Sequence, residues 1–117
     1  MRRPVVATVV GSLALAACAS SSGGGGPAVA VTATDTECRV ATTSLTPGTH
    51  AFEVDNTGNQ VTEVYVFAPG DKIVSEKEDI GPGTTARFSA KLAAGSYQVA
   101  CKPGQKGNGI RQTLTVS

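Results

Sequence analysis

From residue 28 onward, glycine, proline and asparagine cut this chain into runs too short for packed helices. The turn signals are Pro47-Gly48, Asn56-Thr57-Gly58-Asn59, Pro69-Gly70-Asp71, Gly81-Pro82-Gly83, Ala94-Gly95 and Pro103-Gly104. Glycine supplies positive φ and proline presets the turn. Between these signals, apolar and polar residues alternate with the period of a strand, and no 3.6-residue apolar period replaces it. His50 to Val54 alternates, and Val61 to Phe67 sets Val61, Glu63, Tyr65 and Phe67 against Thr62, Val64 and Val66. Val29–Val31, Thr43–Leu45, Lys72–Val74, Thr85–Leu92, Tyr97–Cys101 and Arg111–Val116 complete the expected strands. About seven or eight short strands with such punctuation predict an all-β chain folded as an antiparallel β-sandwich. Phe52, Val54, Val64, Val66, Phe67, Phe88, Leu92, Tyr97, Val99, Leu114 and Val116 are its expected core.

The first 27 residues read differently. Met1-Arg2-Arg3 is basic, Pro4 to Ala17 is small and apolar, and Leu15-Ala16-Ala17-Cys18 follows. The apolar run is too short to span a bilayer as a stable helix. It reads as a secretory signal peptide over 1–17. Its end resembles a bacterial lipobox, which makes Cys18 the expected lipidation site. Residues 18–27 are rich in Ser and Gly and cannot bury apolar surface, so they form a flexible tether. The folded domain is expected at 28–117, exported and held at a cell membrane through lipid, on its periplasmic or extracellular face.

Charge and motif content narrow the function. With Arg2 and Arg3 set aside, eight basic and nine acidic residues remain. They are interspersed, and no basic patch for nucleic acid stands out. Gly23 to Gly26 lacks the Lys-Ser/Thr of a phosphate-binding loop. The single histidine, His50, lies within a strand pattern and offers no catalytic constellation. No independent enzymatic activity is expected. Of three cysteines, Cys18 is set aside for lipid, leaving Cys38 and Cys101 as a pair in an oxidising compartment, where a disulfide is the default.

Two segments carry a family likeness. Leu45 to Gly58 resembles the strand–turn–strand of cupredoxins, and Gly95-Ser96-Tyr97-Gln98-Val99-Ala100-Cys101 resembles their penultimate strand. The resemblance implies a Greek-key, cupredoxin-like sandwich. A narrower likeness covers nearly all of 28–117. Val31 to Cys38, Thr62-Glu63-Val64-Tyr65, Ile73 to Gly83 and Gly95 to Cys101 occur in the order and spacing of the cupredoxin-like domain of EfeO-type iron-uptake lipoproteins. That likeness implies a component of a metal-uptake system that binds copper or iron and works beside a permease or a peroxidase. Carried over by position, the implied ligands are Cys38, Glu63 and Cys101, with Glu76 and Glu78 as additions. Two departures stand out: Tyr65 occupies a position where many relatives have a second carboxylate, and the helical metal-binding domain of full-length relatives is absent from these residues.

The residues decide part of the chemistry. A blue copper centre needs a thiolate, two imidazoles and a soft axial ligand. Past the signal segment there is one histidine and no methionine, and Gly104 stands three residues after Cys101 where a histidine is needed. That leaves two arrangements. Cys38 and Cys101 could form a mixed thiolate–carboxylate metal site with Glu63, or a disulfide that stabilises the fold. The matching functional readings are metal handling at a non-blue site and a disulfide-held, non-enzymatic interaction module.

Overall fold

The computed structural model describes residues 27–117, so the signal segment, Cys18 and residues 19–26 of the tether lie outside the described residues. Nine strands follow one another: β1 (Val29–Ala33), β2 (Cys38–Val40), β3 (Ser44–Leu45), β4 (Gly48–Asn56), β5 (Thr62–Ala68), β6 (Lys72–Ile80), β7 (Thr85–Leu92), β8 (Gly95–Cys101) and β9 (Ile110–Val116). One 3-10 turn, Pro103–Gln105, links β8 to β9. Among the described residues no helix is long and apolar enough to cross a membrane.

The strands form two sheets, ordered β2-β1-β4-β7 and β3-β9-β8-β5-β6. The expected all-β sandwich is therefore present, with one refinement. Most ladders are antiparallel, but β1 runs parallel to β4 and β3 runs parallel to β9. Tight hairpins force antiparallel pairing, whereas strands joined by longer connections are free to pair in parallel.

Period-two alternation builds the core. Val29, Val31 and Ala33 of β1, Phe52 and Val54 of β4, Val64 and Val66 of β5, Val99 of β8, and Leu114 and Val116 of β9 all pack between the sheets. Phe52 is the largest fully enclosed side chain and stacks on Phe88 with ring centroids 5.3 Å apart. Burying each such side chain contributes about 1.5–3 kcal/mol relative to leaving it in water.

Three differences from the sequence reading have physical causes. Phe67 is buried but packs with Tyr65 and Ala100 on the outer face of the five-stranded sheet. It cannot share the core with Val66, because adjacent strand residues face opposite ways. Second, β6 runs on to Ile80, well past the expected strand at Lys72–Val74. As an edge strand, β6 keeps its charges in solvent, and charged edges discourage pairing with other chains. Third, Cys38–Val40 forms a strand that its three residues were too short to announce.

Polar bonds close the sandwich along both edges. Gln112 of β9 accepts the backbone N–H of Val40 through Oε1 at 2.7 Å. The Ser75 hydroxyl of β6 donates to the Ser89 carbonyl of β7 at 2.6 Å. At one end, buried Asn56 ties the sheets together. Its Nδ2 donates to the carbonyls of Gln60 (2.8 Å) and Ile80 (2.9 Å), and its Oδ1 accepts the N–H of Gly58 (3.0 Å). Replacing Asn56 with Leu strands three backbone groups, and an unpaired buried group costs about 1–3 kcal/mol. The expected result is a stability loss of about 2 kcal/mol or more, read as a lower urea midpoint at unchanged slope.

Candidate functional site

Cys38 opens β2 in one sheet and Cys101 closes β8 in the other. Their sulfurs are bonded, with Cα atoms 5.5 Å apart and a sequence separation of 63. Both side chains belong to the core cluster. Of the two arrangements left open for the pair, the structure holds the disulfide, an inter-sheet staple at the end of the sandwich where Cys38 pairs with Ala33, itself paired with Asn56. In this state neither sulfur is a thiolate.

The donors of a blue copper centre do not fit here. His50, the only histidine of the chain, lies on β4, six residues from Asn56 and thus about 20 Å along the strand from that end. Its Nε2 is 2.6 Å from the Thr46 carbonyl oxygen. Gly104 has φ of +73°, and a Cβ there would meet Gln60 Oε1 at 2.8 Å. The loop after Cys101 is thus shaped around a residue with no side chain, where an imidazole would have to stand.

Glu63 does not join the cysteines. Cys101 pairs in register with Val64, and both face the core. Glu63, one residue earlier, must point to the outer face; its backbone carbonyl accepts the backbone N–H of Lys102 at 2.8 Å. The ligand set implied by the resemblance therefore splits into a disulfide inside and carboxylates outside. Among the described residues no three His, Cys, Asp or Glu side chains gather closely enough to hold a metal ion by themselves.

The outer face of β5 has its own organisation. Glu63, Tyr65 and Phe67 line it in alternation, and all three are buried even though no second layer covers them. Neighbouring side chains supply the cover. The Tyr65 and Phe67 rings stack at 5.3 Å. Lys102 Nζ lies 4.2 Å above the Tyr65 ring, and the Arg111 guanidinium lies 4.6 Å above that of Phe67. Arg111 is fixed by Asp71 Oδ1 at 2.6 Å and Gln98 Oε1 at 3.0 Å. The hydrogen bond from Arg111, followed by its charge, holds the Asp71 carboxyl below its ordinary value.

Strand β6 brings two more carboxylates to this face. Glu76 pairs directly with Tyr65. Between the Thr62–Ile80 and Val64–Lys77 pairs, β6 carries one extra residue, so Glu78 and Asp79 together oppose Glu63. Such a bulge redirects side chains locally. Asp79 takes the left-handed conformation, φ 56°, and its N–H donates to Gln105 Oε1 at 2.9 Å. Glu78 consequently faces Tyr65, with Oε1 3.4 Å from the hydroxyl. One phenolic proton thus faces two carboxylates. Hydrogen bonding to Glu76 raises the Tyr65 pKa well above its usual value, followed by burial and the charges of Glu63, Glu76 and Glu78.

Glu63 is only 8% exposed, but no buried side-chain N or O atom among the described residues lacks a hydrogen-bond partner, so its unpaired carboxylate oxygens reach solvent. The ion pairs among the described residues are Arg39–Glu37, Arg87–Glu53 and Arg111–Asp71, and none involves Glu63. Sequence reasoning named Glu63, Glu76 and Glu78 but not Tyr65 or Lys102. The signal for Tyr65 was present, because alternation already set it on the same face as Glu63.

Comparison with known proteins agrees with this fold. Residues 5–116 match the family model described as a cupredoxin-like domain. Over 68 residues, 58% of the chain, the sequence is 31% identical to the iron uptake system component EfeO of Escherichia coli strain K12. The EfeO of Shigella flexneri is equally similar, at 31% over 68 residues. The chain covers only 18% of the length of these curated relatives. Among solved structures, dithionite-reduced auracyanin from the photosynthetic bacterium Roseiflexus castenholzii superimposes with a TM-score of 0.61 at 16% identity, covering 80% of this chain and 99% of that one.

The staple closes a loop whose length sets its worth. In the chain-entropy model a loop of this size contributes about 4 kcal/mol. The Cys38→Ser/Cys101→Ser double variant is expected to lose about that much stability in denaturant unfolding while leaving the outer face unchanged.

Proposed function

Because the chain belongs to the cupredoxin-like domain family, we propose that it is an exported, membrane-tethered metal-handling module that takes copper or iron as cargo at a non-blue site. The tether is Cys18 with its lipid, and the module assists uptake beside permease or peroxidase components. No catalysis of its own is assigned to it. The likeness to EfeO supports the metal and uptake parts of this reading, and the signal-like segment supports export.

The observation that carries the proposal is Glu63, a residue only 8% exposed whose carboxylate forms no ion pair. It shares a face with Glu76 and Glu78, which are exposed. A bound cation would offset the repulsion among the three. Oxygen donors suit hard ions, and this set differs in kind from the soft thiolate and imidazole set of a blue site. The cysteines act as staple instead of ligands.

One finding favours a second reading, a disulfide-stabilised interaction module with a vestigial metal site: the cysteines are already bonded to each other. Calorimetric titration of the purified protein with Cu(II) and with ferric nitrilotriacetate separates the two. Metal handling predicts micromolar or tighter binding, weakened at least about tenfold by Glu63→Gln and retained in the double cysteine variant. Absence of binding by either ion would establish the interaction module instead.

A further inference from the structure

We propose that Asn108 and Gly109 form a self-modifying pair, in which Asn108 loses its side-chain amide and becomes isoaspartate while Arg111 holds the carbonyl that turns into the new carboxylate. The inference stands apart from the metal-handling reading.

The loop between β8 and β9 supplies the reactants. Asn108-Gly109 is the only Asn-Gly step of the chain. Asn108 is exposed, and Gly107 and Gly109 on either side of it take φ of 78° and 82°. The other two asparagines are tied down. Asn56 is buried with both side-chain polar atoms bonded, and Asn59 Nδ2 donates to Asp35 Oδ2 at 3.3 Å. They precede Thr57 and Gln60, whose side chains hinder attack by the next peptide nitrogen. At position 109 packing forbids such a shield. A Cβ there would lie 3.1 Å from both Ala100 Cβ and Lys102 Cγ, and the left-handed φ also selects glycine. The fold thus requires glycine at the place where it leaves the asparagine most open to cyclisation.

Arg111 is a second, independent element. Its Nε–H donates to the Asn108 carbonyl oxygen at 2.9 Å. That carbonyl and the Gly109 nitrogen belong to one peptide group. A cation on the oxygen makes the N–H more acidic and stabilises the amide anion that attacks. Asp71 and Gln98 fix the guanidinium from its other side.

In the first step the Gly109 nitrogen gives its proton to solvent and bonds to Asn108 Cγ. The bond from Cγ to the amide nitrogen breaks, and that nitrogen takes up a proton and leaves as ammonia, closing a cyclic imide. Water then adds to the carbonyl carbon that Arg111 polarises. The bond from that carbon to the Gly109 nitrogen breaks, the nitrogen regains a proton, and the new acid gives its own to ammonia. The chain now runs through the former side chain, and a carboxylate stands where Arg111 Nε already binds. One water is consumed, one ammonium is released and no electron is transferred.

The test incubates the purified protein at mildly alkaline pH and follows residue 108 by peptide mapping, with an isoaspartate-specific methyltransferase as the probe of the product. Loss of the Asn108 amide is expected to be several-fold faster than loss at Asn59, with isoaspartate as the main product, and slower in Arg111→Gln. Asn108→Gln should abolish the methyltransferase signal and leave the urea midpoint unchanged. An amide at 108 that lasts as long as that of Asn59, or a signal that survives Asn108→Gln, would overturn the site. Loss in Arg111→Gln as fast as in wild type, or aspartate as the main product, would overturn the part played by Arg111.

Discussion

The bond between Cys38 and Cys101 orders more of this molecule than its own end of the sandwich. It joins the two sheets where their hydrogen-bond ladders cannot, and it requires the last residue of β8 to face inward. Strand alternation then propagates that choice. With Cys101 and its partner Val64 facing the core, Ala100 and Lys102 on one strand and Glu63 and Tyr65 on the other must face out. The disulfide and the β5–β8 register thus agree in turning the acidic, aromatic face outward. A slip of one residue between β5 and β8 would exchange the two faces entirely.

That orientation explains how a cupredoxin-like fold persists without the donors of a blue copper centre. The loop after Cys101 is retained in outline, but its histidine position is Gly104, in a left-handed turn packed against Gln60. The sulfur that would bind metal is committed to the staple. The carboxylates Glu63, Glu76 and Glu78 lie instead on the outer face of β5 and β6.

The outer face is also unusual energetically. Tyr65, Phe67 and Glu63 are buried without a covering layer, because Lys102 and Arg111 lie across the rings and the bulge in β6 swings Glu78 over them. Cations over aromatic faces and carboxylates around a phenol form a dense polar skin. Arg111 is neutralised by Asp71, whereas Glu63, Glu76 and Glu78 have no such partners. The net imbalance of this small region is negative, and it lies beside an aromatic hydroxyl.

Much of this was legible in the residues themselves. Turn chemistry and period-two alternation are local, so the all-β class, most strands and the inward positions of Val54, Val64, Val99 and Leu114 could be read directly. The disulfide was one of the two arrangements the residues left open for Cys38 and Cys101. Other features depended on neighbours distant in the chain. Whether Glu63 met the cysteines was decided by the β5–β8 register, and whether Glu78 reached Tyr65 by an extra residue in β6. Phe67 left the core for the same reason, since alternation says which residues share a face but not which face is inside. Sequence determines the period of each strand, while the sidedness of the carboxylates is settled only when the sheets pair and the sulfurs join them.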